Sequence, residues 1–95
     1  LEILMQFAVN ANKFIRKAVA GNSSAPIEIL IQLASDQDID VKSYVAGNYN
    51  TPAEVLAQLA GDEDYHVRGA VALNRKAPAE ILMQLVRDEK MHIRR

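Results

Sequence analysis

The run Val45-Ala46-Gly47-Asn48-Tyr49-Asn50-Thr51-Pro52-Ala53-Glu54-Val55-Leu56-Ala57-Gln58-Leu59-Ala60-Gly61-Asp62 decides the fold, because its pattern returns on both sides of it. Its proline has counterparts at Pro26 and Pro78, a constant step of 26 residues. The same step links Glu2, Glu28, Glu54 and Glu80, then Leu4, Leu30, Leu56 and Leu82, then Gln6, Gln32, Gln58 and Gln84. Asn22, Asn48 and Asn74 keep it, as do Asp36, Asp62 and Asp88. Residues 19–44 agree with 45–70 at 13 of 26 positions, and 45–69 agree with 71–95 at 13 of 25. Self-similarity at this period is the signature of a repeat architecture. Residues 1–18 agree with 27–44 at only 5 of 18 positions, so the first copy is degenerate, as expected near an array end.

The expected organisation is one helical-repeat domain over 1–95, with copies near 1–25, 26–51, 52–77 and 78–95. Each copy reads as two short helices. Helix A is predicted near 1–9, 26–35, 52–60 and 78–87, and helix B near 13–21, 39–47, 65–73 and from 91 on. Proline suits the first helical position because its missing N–H would be unpaired there anyway. Thr51 and Glu54 have the spacing of a capping box, whereas Ala25 and Ala77 offer no cap oxygen. Val55, Leu56, Leu59 and Ala60 form one apolar face of helix A. The acidic turn Gly61-Asp62-Glu63-Asp64 offers cap oxygens to helix B, whose stripe Val67, Ala70, Val71 ends on Asn74. Leu30, Leu33, Val45, Leu56, Leu59, Val71 and Leu82 are the predicted core. Helices of about nine residues are marginal alone in water, so stacking on neighbours must hold them.

Val67-Arg68-Gly69-Ala70-Val71-Ala72-Leu73-Asn74, continuing into Pro78-Ala79-Glu80, resembles the leucine-rich repeat variant family, and the likeness covers essentially the whole chain. It is similar also to the broader HEAT-like class. The resemblance implies an all-α, right-handed α-solenoid, here of about 3.6 tandem 26-residue two-helix repeats, in which one helix of each pair can be 3₁₀ in character. Some family members place a cysteine-rich iron–sulfur segment before the repeats. With no cysteine in this chain, that cofactor is not carried over, and no cofactor is expected.

Composition narrows the function. Hydrophobic residues make up 49% and charged ones 24%, ordinary for a folded domain and against disorder. The formal net charge of −1 gives no overall pull toward nucleic acid or an anionic membrane. The charge is uneven: the middle, from Asp36 to Asp64, is acidic, and Arg87, Lys90, Arg94 and Arg95 gather at the end. The absence of cysteine excludes disulfides and thiolate metal sites, and no apolar run approaches the roughly 18 residues that span a bilayer. A cytoplasmic protein without membrane contact is expected. The chain opens at Leu1 and stops at Arg95, each inside an expected helix, as a slice of a longer array would. Leu1, Leu4, Phe7 and Ile15 at one end, and Leu82, Leu85, Met91 and Ile93 at the other, would then be uncovered and could self-associate end to end.

Several columns of residues are candidate sites. Arg16, Lys42, Arg68 and Arg94 form a basic column that either binds phosphate or an acidic peptide, or pairs with the acidic column Asp36, Asp62, Asp88. The shared period favours pairing, within a copy (as Asp64 with Arg68) or between copies. Asn22, Asn48 and Asn74 are expected to satisfy backbone groups at turns, since buried polar groups must be paired. Gln6, Gln32, Gln58 and Gln84 lie off the apolar stripe and are expected to bridge copies, with contact to a partner as the alternative. His66 and His92 are equivalent, but packed helices sit roughly 8–10 Å apart while a metal holds its ligands at about 2 Å, so no metal site is expected.

One helix B face varies from copy to copy while the core columns hold. It carries Phe14, Lys17 and Gly21, then Asp40, Ser43 and Gly47, then His66, Gly69 and Leu73, then His92 and Arg95. Such variation marks plain solvent exposure or the recognition surface of a repeat array. No serine sits in a nucleophile elbow, no glycine-rich phosphate loop occurs, and the periodic carboxylates suit turns better than acid–base chemistry. The expected function is a non-catalytic scaffold presenting a protein- or peptide-binding surface, with nucleic-acid binding along a basic helix face as the alternative.

Overall fold

A computed structural model describes residues 12–87, which form six α-helices and, among them, no strand. In chain order these are α1 (Lys13–Ala20), α2 (Ile27–Leu33), α3 (Ile39–Gly47), α4 (Ala53–Ala60), α5 (Tyr65–Leu73) and α6 (Ala79–Val86). Helices α2, α4 and α6 are the A helices of successive copies, and α1, α3 and α5 are the B helices. The first A helix, the last B helix, and with them Gln6, Asp88, His92, Arg94 and Arg95, lie outside the described residues. Both helix types are α rather than 3₁₀.

The A helices begin one residue later than the prolines. Pro26, Pro52 and Pro78 are themselves the N-caps, extended at ψ 151, 158 and 153°, and no side chain caps these helices. The capping box expected at Thr51 does not form. Thr51 is buried, and its hydroxyl donates 2.6 Å to the Val45 carbonyl near the end of α3, so it serves the preceding helix. The B helices do have side-chain caps, from Asn12, Asp38 and Asp64.

The core is a single cluster running through every copy, with Ile29, Leu30, Leu33, Val41, Val45, Leu56, Leu59, Val67, Val71 and Leu85 almost wholly enclosed. Two expectations need correction. Leu82 is only half-buried, because among the described residues α6 packs against α4 and α5 on one side alone. Leu85, expected at an uncovered end, is fully enclosed because it faces that same side. Neighbouring B helices make the most extensive contacts, especially α3 with α5, and α1 packs on α3 in the same way. Small buried residues at their seams, Ala20 and Ala46, permit that approach. The result is an elongated body of 40 × 20 × 17 Å.

Candidate functional site

Two polar ladders tie the copies together, and their geometry shows which columns are free to bind something else. The first lies at the ends of the B helices. Asn48 Nδ2 donates to the carbonyls of Ala20 (2.8 Å) and Asn22 (2.9 Å) in the preceding copy, while its Oδ1 accepts from the Asn50 amide at 2.8 Å. Asn74 repeats the arrangement with the carbonyls of Ala46 (2.8 Å) and Asn48 (3.2 Å) and the Lys76 amide (2.8 Å). An amide is needed here because one group must donate twice and accept once. Asn48 and Asn74 themselves end their helices at negative φ, −79° and −77°, so no left-handed residue is used.

The second ladder joins the basic and acidic columns, and its pairs run between copies. Arg16 grips Asp36 of the next copy with a fork, Nε to Oδ2 at 2.7 Å and Nη2 to Oδ1 at 3.3 Å. Lys42 Nζ meets Asp62 Oδ1 at 2.8 Å across the next seam. Arg68 is buried and donates to the Asp62 carbonyl, not to Asp64. Asp36 and Asp62 also accept from the amides of Asp38 (2.9 Å) and Asp64 (3.0 Å), which holds the acidic turns closed. Burial pushes the Asp62 carboxyl up, but the Lys42 hydrogen bond, the Asp64 amide and the charges of Lys42 and Arg68 outweigh it and hold the group below the usual carboxylate value. Burial likewise raises Asp38, and the Val41 and Asp40 amides and Lys13 bring it lower than it would be free.

A depressed carboxyl contributes stability that is present above its unfolded pKa, about 4, and is lost as pH falls through the lower folded value. Thermal melts should therefore lose stability below about pH 4. Asp62→Asn should flatten that acid-side slope; an unchanged slope would mean that the Lys42 pair does not form.

The glutamines do not bridge. Gln32 is half-buried, Gln58 and Gln84 are exposed, and none joins two copies among the described residues, because they point outward from the A helices. Gln58 instead helps line an open apolar groove between α2 and α4, with Ile27, Ile31, Pro52, Glu54 and Val55. His66 is exposed, stacks on the Tyr65 ring at a centroid distance of 4.4 Å, and has Nδ1 3.2 Å from Asp64 Oδ1. Among the described residues, no group of three His, Cys, Asp or Glu gathers around a metal position.

The variable helix B face is the remaining candidate. Phe14 (66% exposed), Asp40, His66 and Leu73 (85%) stand in solvent, while Lys17, Ser43 and Gly69 are half-buried along the seams between B helices. The structure adds a residue that the sequence reading did not single out. Tyr44 occupies the column of Ala18 and Ala70; it is 48% exposed, Ala18 is exposed as well, and Ala70 is half-buried. It leans across the first seam toward Lys17, whose Nζ is 5.1 Å from the Phe14 ring centre and 5.8 Å from that of Tyr44. The signal was a tyrosine among alanines at the rim of the apolar stripe, a position that the core does not enclose.

Residues 65–90 match the family model described as leucine rich repeat variant. No curated protein and no solved structure matches the chain. No helix among the described residues is long and apolar enough to cross a membrane.

Proposed function

We propose, from a chain in which residues 65–90 are a leucine rich repeat variant repeat and the neighbouring copies keep its register, that this protein is a non-catalytic scaffold that binds a protein or peptide on its helix B face. The observation that carries this is the set of exposed side chains on that face, with Phe14 and Tyr44 beside Lys17 at one seam and Tyr65, His66 and Leu73 further along. Rings fixed on rigid helices supply contact area at little entropic cost, which is why aromatic residues dominate recognition surfaces. We take the array to continue as a right-handed solenoid of about 3.6 copies in this chain, working in the cytoplasm.

The nucleic-acid alternative rests on the basic column and on the C-terminal cluster; Lys90, Arg94 and Arg95 lie outside the described residues, and the described members of the column are engaged. Arg16 and Lys42 spend their charge on Asp36 and Asp62, and Arg68 is buried against the Asp62 carbonyl. Phosphate binding draws its affinity from several unengaged cations at once.

A random peptide library displayed on phage and panned against the protein should enrich peptides that perturb the backbone amides of 13–21, 39–47 and 65–73 in nuclear magnetic resonance spectra. Enriched peptides that touch only the A helices would refute this surface. Salt-sensitive binding of single-stranded RNA to the same face, with no peptide enriched, would move the assignment to the alternative.

A further inference from the structure

The seam between α1 and α3 carries a cluster whose chemistry specifies a partner. Phe14 and Lys17 are one helical turn apart on α1, and Tyr44 reaches over from α3. The Lys17 ammonium lies within cation–π range of both rings. Lys13 stands 5.7 Å from the centre of the Phe14 ring and 3.7 Å from Asp38 Oδ2. Among the described residues, no carboxylate pairs with Lys17, so its charge is stabilised only by ring faces and water.

The cluster has a seat made for it. A Cβ placed on Gly21 would come within 2.9 Å of the Tyr44 ring, closer than real contacts allow. The backbone itself does not require glycine there, since Gly21 has φ −88° and ψ −1°. Gly47, its equivalent one copy on, has open space where a Cβ would stand. Gly21 thus gives the Tyr44 ring room to lie against α1, and the resulting ring–ammonium–ring arrangement belongs to this seam.

We infer that this cluster docks an acidic peptide segment, in which a Glu or Asp carboxylate pairs with Lys17 while an adjoining aliphatic side chain lies across the Phe14 and Tyr44 rings. The inference rests on the scaffold reading and adds the partner's chemistry to it. One ammonium held between two rings suits one carboxylate, and a charge-assisted hydrogen bond to it would be strong because the rings have already excluded part of its water. The exposed ring surface supplies the apolar half of the contact. A polyphosphate chain fits less well. Only Lys13 and Lys17 are at hand and Lys13 is shared with Asp38, which leaves one ammonium, enough for a single carboxylate but not for a chain that carries a charge on every unit.

The test uses a labelled peptide of alternating Glu and Leu, its Lys–Leu counterpart and an oligouridylate, each titrated against the whole chain. The Glu–Leu peptide should bind, shift the amides of 13–21 and 40–47, and weaken as salt rises. Lys17→Glu should weaken it by about tenfold or more, as loss and reversal of a paired charge does at such contacts. Phe14→Ala and Tyr44→Ala should each weaken it several-fold, and Arg75→Glu, an exposed cation elsewhere, should leave it unchanged. Far-ultraviolet spectra of each variant check folding, and Lys17→Gln repeats the test without reversing charge. No binding of the Glu–Leu peptide, or binding indifferent to both Lys17 variants, would overturn the inference. Tighter binding of the oligouridylate, lost in the same variants, would overturn it too. Library peptides that map to helix B but lack acidic residues would overturn this inference alone and leave the scaffold reading standing, whereas peptides that avoid helix B would end both.

Discussion

Leu56→Ala should destabilise the protein by about 2–5 kcal/mol, the range for a fully buried leucine truncated in a packed core. Leu56 has no solvent exposure and lies on α4, in the middle of the described copies, with α3 on one side and α5 and α6 on the other. Its removal therefore leaves a cavity that neighbours on both sides cannot collapse to fill. A domain of this size is held by about 5–15 kcal/mol in total, so one truncation takes a large share. The midpoint of thermal unfolding should drop by about 10 °C or more. Glu63→Ala, an exposed change in the acidic turn seven residues on, should stay within about 0.5 kcal/mol. Denaturant melts decide the matter: if the two variants lost similar stability, the helix A register would be wrong.

Much of this register was legible in the sequence because each copy constrains the next. Helix B, predicted at 39–47 and 65–73, spans Ile39–Gly47 and Tyr65–Leu73, since Asp38 and Asp64 mark its start and Asn48 and Asn74 its end. The A helices came out slightly shorter than predicted, at Ile27–Leu33 for 26–35: Pro26 caps the helix and does not enter it, and Ala34 is already the cap at the other end. What the sequence hid were choices between partners of equal spacing. Thr51 is three residues before Glu54 and six after Val45, and only the fold reveals that the helix end behind it needs its hydroxyl. Arg68 sits four residues after Asp64, yet it turns to the Asp62 carbonyl, and Arg16 and Lys42 reach twenty residues on to the next copy's aspartate. A helical repeat brings those residues side by side, and local spacing cannot report a distance set by stacking. The binding face was legible only as variation. Its most informative member, Tyr44, was not singled out, because its counterpart one copy on, Ala70, belongs to the apolar stripe of helix B.

Asn74→Ala should cost about 2–4 kcal/mol, more than any exposed polar substitution. Asn74 is 3% exposed, and its one side chain satisfies three backbone groups: the carbonyls of Ala46 and Asn48 and the amide of Lys76. Truncation leaves those groups without this partner where water has little access, at about 1–3 kcal/mol for each one left wholly unpaired. The net figure is smaller than the sum because relaxation at the loop lets some water return. Asn74→Asp makes the argument sharper. It keeps the volume and the acceptor for the Lys76 amide but removes both donors, and sets a carboxylate oxygen against two carbonyls. It should therefore be at least as damaging as alanine at neutral pH and should recover part of its stability on acidification, when the carboxyl can donate again. Asn50→Ala is the control. Asn50 also reaches a carbonyl of the preceding copy, that of Ser23, but it is exposed, so water replaces the lost bond and the change should stay within about 0.5 kcal/mol. Equal losses for Asn50→Ala and Asn74→Ala would show that burial of the asparagine ladder does not hold the copies together, and that the apolar seams do so alone.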